Sequence, residues 1–310
     1  MHFSKITIHS NATLSILVHT WHYFSAYYHP YERKLKNELA LHAPFVSKGL
    51  YYMTQLYFET NKQYTHIKRE DNRFLKICKD AIDNKLTLSV QKWINELKKY
   101  LEPINLTIAP KYFSQIEKEF YRTVDLFYKY FKQWFFEPPH LGDILFVLTP
   151  GFSSDSSSAG AMEGVIYRIF RINILQQNIA EHKFKNFIND ILDVFYHELL
   201  HKLIGENQTA NATHGNFNEA FRQKFKEIAE KLNLPYTRNE EPLVYILTPR
   251  GFLSERLNLI EKVNTMELLN HINDEQIRKS AEILLKYLGN YNWQNPNMSI
   301  LNYLNKKIKS

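Results

Sequence analysis

Between Asn186 and Gly205 the chain reads NFINDILDVFYHELLHKLIG, an apolar helical pattern carrying His197, Glu198 and His201 in the spacing H-E-x-x-H. Phe184, Phe187, Ile188, Ile191, Phe195, Leu199 and Leu203 recur at intervals of three and four, and Gly205 closes the pattern as a helix stop. A stretch of this kind reads as a helix with a strongly apolar face, and the rest of the chain can be read as what supports, completes or feeds it. Positions four apart stack on one helical face, which lets His197 and His201 direct two imidazoles at one ion. Glu198 lies about 100° further round the axis. Its side chain is long enough to reach a water on that ion without being a ligand. Two imidazoles and a free carboxylate in this arrangement make a hydrolytic device that lacks only a third ligand.

Composition narrows what can surround this helix. At 310 residues, with 44% hydrophobic and 15% aromatic residues and 9 glycines, the chain suits a helix-rich globular protein of one or two domains. The formal charge of +7 is spread along helical faces among glutamates, so a nucleic-acid partner is allowed but not indicated. Cys78 is the only cysteine, which excludes an internal disulfide framework. No run approaches the roughly 18 apolar residues of a membrane span. Polar residues and histidines interrupt the first segment, so no signal peptide is visible and the cytoplasm is the default expectation.

Along the chain, Lys5 to His9 alternates like a short strand, and Ser10 or Asn11 can cap a helix running through Tyr28. Further helical patterns cover 34–42, 47–59, 71–82 and 89–101. Lys111 to Phe136 is a long helix whose Phe113, Ile116, Phe120, Val124, Phe127, Phe131 and Trp134 form an aromatic-rich stripe, which its spacing assigns to the core. Pro138, Pro139 and Gly142 then mark a boundary between a helical N-terminal region, 1–137, and a catalytic region with a helical C-terminal part, 138–310. Asp143 to Thr149 reads as a buried strand, Gly151 to Gly164 as a Ser/Gly connection or flap, and Val165 to Ile174 as a second strand leading into the histidine helix. Beyond Gly205 a helix is expected over 216–232, followed by two or three more and a frayed basic tail, NKKIKS. The predicted class is α+β, mostly helical, with a small β-sheet packed on the active helix.

HELLH on a helix preceded by a strand resembles the zincin superfamily of zinc metallopeptidases, over roughly Asp143 to Leu232. The resemblance implies a Zn2+ cofactor, a peptide or protein substrate, hydrolysis of peptide bonds and Glu198 as general base. It also implies that the strand before the helix is an edge that pairs with extended substrate, and so points to Tyr167 and Ile169 as substrate-binding residues. Three candidates compete for the third ligand. His214-Gly215-Asn216-Phe217 resembles the HGxxF element of SprT-like proteases, with Phe217 one residue early. Asn218-Glu219-Ala220-Phe221 resembles the NExF element of gluzincin aminopeptidases, with seventeen residues after His201 where that family has eighteen. Glu240 and Glu241, in NEEPLV, resemble a later acidic ligand of some bacterial zincins, although Pro242 makes helical presentation awkward. Glu219 falls roughly 160° from the centre of the apolar arc of its own helix, on the outer face. Phase therefore ranks His214 ahead of Glu219, and Pro242 puts Glu240 or Glu241 last. Tyr236 and Tyr245 are candidate oxyanion stabilisers. Two other readings stay open: a catalytically silent zinc-containing helical binding protein, and a nucleic-acid-associated SprT-like protease.

Overall fold

The computed structural model describes residues 6–26, 43–68, 71–101, 107–136, 143–151, 158–170, 181–204, 215–237 and 239–309. The chain divides into two compact units, one formed by Lys5–Ser114 with Asp143–Ala180, the other chiefly by Gln115–Gly142 with Glu181–Ser310. This division does not follow the 137/138 boundary read from sequence. The strands join the N-terminal helices, and most of the long aromatic helix joins the histidine helix.

The first unit holds β1 (Ile6–His9), β2 (Ile144–Pro150), β3 (Ser158–Met162) and β4 (Val165–Phe170) in the order β1-β2-β4-β3. β1, β2 and β4 run parallel, and β3 returns antiparallel to β4 through the turn Glu163–Gly164. Side chains alternate across a strand. Leu145 and Val147 of β2 and Val165, Tyr167 and Ile169 of β4 therefore share a face, and they lie in one core with Leu17, Trp21, Leu56, Phe74 and Ile94. Those residues come from α1 (Ala12–Ala26), α2 (Ala43–Gln63), α3 (Arg73–Ile82) and α4 (Leu88–Tyr100). Asn11 caps α1 as expected, its Oδ1 accepting the Leu14 N–H at 2.9 Å. The cap of α3 comes from elsewhere. Asn72 offers it no side-chain bond, and Glu163 instead accepts the Phe74 N–H at 2.8 Å through Oε2 and the Leu75 N–H at 3.2 Å through its carbonyl.

Two expectations are corrected in this unit. Part of the Ser/Gly stretch, Ser158–Met162, is a strand, and β4 is consequently no edge, being hydrogen-bonded to β2 on one side and β3 on the other. From Val165 to Ile169 its main chain is flanked by strands on both sides, so this part offers no open edge to an extended substrate. Tyr167 and Ile169 are buried in the core, and the Tyr167 hydroxyl meets His22 Nδ1 at 2.7 Å. The helix expected over 34–42 and the strand residues 171–174 lie outside the described residues.

The second unit is helical among its described residues: α5 (Pro110–Phe135, from Gln115 onward), α6 (Glu181–Ile204), α7 (Gly215–Lys231), α8 (Glu241–Leu247), α9 (Phe252–Arg256), α10 (Thr265–Asn270), α11 (Glu275–Leu288) and α12 (Ile300–Lys309). The aromatic stripe of α5 is the backing of α6. Phe120 meets Phe195 edge-on at 5.1 Å between ring centroids, and Phe127 stacks on Tyr196 at 5.1 Å. The Tyr196 hydroxyl, buried among these rings, donates to Thr123 Oγ1 at 2.7 Å. Where two or three helices and a frayed tail were expected after Pro235, five helices follow, and the basic tail is the end of α12, anchored by buried Ile300, Leu301 and Leu304. No helix among the described residues is long and apolar enough to cross a membrane.

Candidate metal centre

Helix α6 is exposed along much of its first half and mostly buried from Ile191 onward. From Ile191 to Ile204 the residues that are not buried are Val194, His197, Glu198, His201 and Lys202, a strip at intervals of three and four. Because Phe195, Tyr196, Leu199 and Leu200 fix the rest of the circumference in the core, this strip cannot rotate. The H-E-x-x-H residues are thus the partly open side of a rigid element.

What faces the strip is the segment from Glu240 to Thr248. Glu240 is the N-cap residue of α8 and Glu241 its first residue, with Pro242 in the first turn. The carbonyl of Glu240 accepts the N–H groups of Leu243 and Val244 at 2.8 and 3.1 Å, which starts the helix. Leu243, Val244, Ile246 and Leu247 are buried, leaving Glu241 and Tyr245, four apart, as the half-buried residues between Glu241 and Leu247. Thr248 leaves the helix in an extended conformation.

Three ligand atoms converge there. His201 Nε2 and His197 Nε2 are 3.3 Å apart, and the Glu241 carboxylate lies 3.0 Å from His201 Nε2 and 3.6 Å from His197 Nε2. His197, His201 and Glu241 could together hold a metal ion. A tetrahedral ion with bonds of about 2.0–2.1 Å sets its ligands about 3.3 Å apart, and the three separations bracket that value. The opposite ring nitrogens are already used. His197 Nδ1 donates to the Thr248 carbonyl at 2.9 Å, and His201 Nδ1 is 2.7 Å from Glu240 Oε1. A carbonyl and a carboxylate behind the two rings favour a proton on each Nδ1 and point both Nε2 atoms inward. Burial opposes a charge on His201, but hydrogen bonds to Glu240 and Glu241 and their charges outweigh it and push His201 up to about 10. Burial likewise opposes the Glu241 charge, and the bonds from His197 and His201 overcome it, taking Glu241 down to about 2.

No family model, curated protein or solved structure matches this chain. The centre has to be read from its own geometry. Of the residues singled out from sequence, His197 and His201 are brought together, and Glu198 shares their half-open strip. His214 lies outside the described residues. Glu219 is exposed on α7 and pairs with Arg222, one turn along the same helix, as its phase implied. Glu241, ranked last, is the carboxylate in the group. The objection raised by Pro242 fails for a physical reason. Proline breaks a helix interior, but in the first turn its missing N–H is one the helix could not have used. Two acidic residues, a proline and then an apolar run form a helix-start signal, and NEEPLVYIL carried it. Glu240, singled out from sequence as a candidate ligand, stands instead behind His201 as an outer acceptor, and the Thr248 carbonyl left no signal because a backbone carbonyl leaves none.

Proposed function

We propose that this chain is a zinc-dependent peptidase in which His197, His201 and Glu241 hold the ion and Glu198 is general base and acid. The observation that carries this reading is the convergence of two inward-facing Nε2 atoms and a carboxylate on the one strip of α6 that also presents Glu198. Two imidazoles and a carboxylate form a donor set suited to zinc, with room for a further ligand. When bound, zinc lowers the pKa of water beside it and polarises a carbonyl. Glu198 takes a proton from the attacking water as the new C–O bond forms, then delivers it to the leaving amine as the C–N bond breaks. Glu240 and the Thr248 carbonyl keep the two imidazoles in register for this. Tyr245, one helical turn after Glu241 with its ring centroid 4.9 Å from that of His197, takes the oxyanion-donor role. The HELLH resemblance to zincins supports the same reading, and a glutamate as third ligand favours the gluzincin version over the SprT-like one.

The test combines metal analysis with one substitution. Purified protein is expected to carry about one zinc per chain. Glu198→Gln is expected to keep the zinc and to cleave an unfolded protein substrate at least about a hundredfold more slowly. Absence of zinc, or undiminished cleavage by the variant, rejects the proposal.

A further inference from the structure

One turn before His197 on the same face of α6 stands Asp193, a buried carboxylate with no part in the hydrolytic reading. Its Oδ2 accepts the Arg250 N–H at 2.7 Å, and its Oδ1 accepts the Ser254 hydroxyl. These donors lie within the segment that follows Thr248. The turn between them is tightly folded. Arg250 has φ 60, and a Cβ on Gly251 would sit 2.1 Å from the Ile246 carbonyl oxygen, so this turn closes directly onto the last residues of α8.

The segment from Glu240 to Ser254 therefore meets α6 at three successive positions four residues apart. His201 takes Glu240 and Glu241, His197 takes Glu241 and the Thr248 carbonyl, and Asp193 takes Arg250 and Ser254. The first two contacts belong to the metal ligands. The third touches no ligand, yet it fixes the piece of chain from which the Thr248 carbonyl hangs.

We propose that Asp193 is a positioning residue of the metal centre, clamping the Arg250–Ser254 turn to α6 so that the Thr248 carbonyl stays aligned with His197 Nδ1. This rests on His197, His201 and Glu241 being a metal centre. Outer-shell partners of metal-binding histidines typically change affinity by about 10–100-fold when removed. Asp193 acts one bond further out, so Asp193→Ala belongs near the lower end, about tenfold weaker zinc binding. Asp193→Asn keeps an acceptor for the Arg250 N–H and recovers most of the loss. Ser254→Ala, which leaves the Arg250 bond, weakens zinc by about threefold, a milder version of the same effect.

The experiment measures the zinc dissociation constant of the full chain against a chromogenic chelator and the visible spectrum of the Co2+-loaded protein. It compares wild type, Asp193→Ala, Asp193→Asn and Ser254→Ala. Weaker zinc and an altered cobalt spectrum in Asp193→Ala, recovered in Asp193→Asn, support the proposal; a general loss of packing has no reason to follow the acceptor. If wild type binds zinc and Asp193→Ala matches it in both readouts, the role of Asp193 is overturned while the metal centre stands. If wild type binds neither ion, the metal centre itself falls. Should Asp193→Ala not fold, Ser254→Ala decides, and an unchanged zinc constant there overturns the proposal.

Discussion

Zinc binding to this centre should be a contest with a proton, and the structure sets its scale. His201 lies between Glu240 Oε1 at 2.7 Å and Glu241 Oε2 at 3.0 Å. The hydrogen bonds and charges of these two carboxylates outweigh burial and push the imidazole up to about 10. An ion needs the Nε2 lone pair, so it must expel that proton. Near pH 7 a group titrating at about 10 is protonated in all but roughly one molecule in a thousand, which costs metal binding about three powers of ten, or about 4 kcal/mol. The zinc dissociation constant is therefore expected to fall about tenfold per pH unit from about pH 6 to about pH 9, with about one proton released per ion. Chelator competition across that range measures the slope, and calorimetry in two buffers of different ionisation enthalpy counts the proton. Glu240→Gln removes one of the two charges holding the proton. Its slope should flatten at lower pH than in wild type, while its affinity at high pH drops by about 10–100-fold because the ring loses its carboxylate support. A dissociation constant independent of pH, with no proton released, refutes the reasoning. The same pair links folding to pH when no ion is held. His201 is raised, so its contribution is fully present below about 6.5 and is lost as pH rises through about 10. Glu241 is lowered, so the same interaction, counted from its other end, is lost as pH falls through about 2.

Three further outcomes are expected. Glu241→Ala should lower zinc affinity by more than about a hundredfold, while Glu219→Ala, which removes an exposed group paired with Arg222, leaves it unchanged; equilibrium dialysis with zinc separates the two. Gly251→Ala must push the Ile246 carbonyl aside, since the added Cβ would lie 2.1 Å from its oxygen; urea unfolding should show a loss of about 1–3 kcal/mol, accompanied by weaker zinc binding. His19, buried, is lowered to about 4 by desolvation, against the hydrogen bond to Pro150 and with help from His22. The unfolded chain then binds the proton first, so stability declines as pH falls from about 6.5 through about 4, by up to about 3 kcal/mol. His19→Gln should flatten that acid limb in urea titrations, and an unchanged limb would show that burial does not hold His19 below its ordinary pKa.

What was legible in the sequence was whatever repeats with a helical period. The α5 stripe and the α6 pattern were read with most of their burial correct, Phe113 and Phe187 alone being half-buried, because three- and four-residue spacing reports a face directly. The Ser158–Met162 strand was not legible. Its residues, SAGAM, have little intrinsic strand preference, and they pair with β4 because small side chains are what fits there: a Cβ on Gly160 would lie 2.7 Å from the Tyr167 hydroxyl. Missing that strand turned β4 into an apparent edge. In the candidate centre the two histidines were legible because one helix supplies both. Glu241 comes from a separate helix, and its place depends on how α8 packs against α6, which no local pattern encodes.

The position of Glu241 along the chain has a mechanical consequence. From His197 to Glu241 is 44 residues, taking 241 minus 197, and an ion gripped by both ends cross-links that length of polypeptide. Closing a loop of this size restricts an unfolded chain by about 4 kcal/mol in the chain-entropy account of cross-links. A metal held there acts as a removable staple across α7 and the connections on either side of it. A chelator should then loosen the helical unit as a whole, apart from any effect on the proposed hydrolysis.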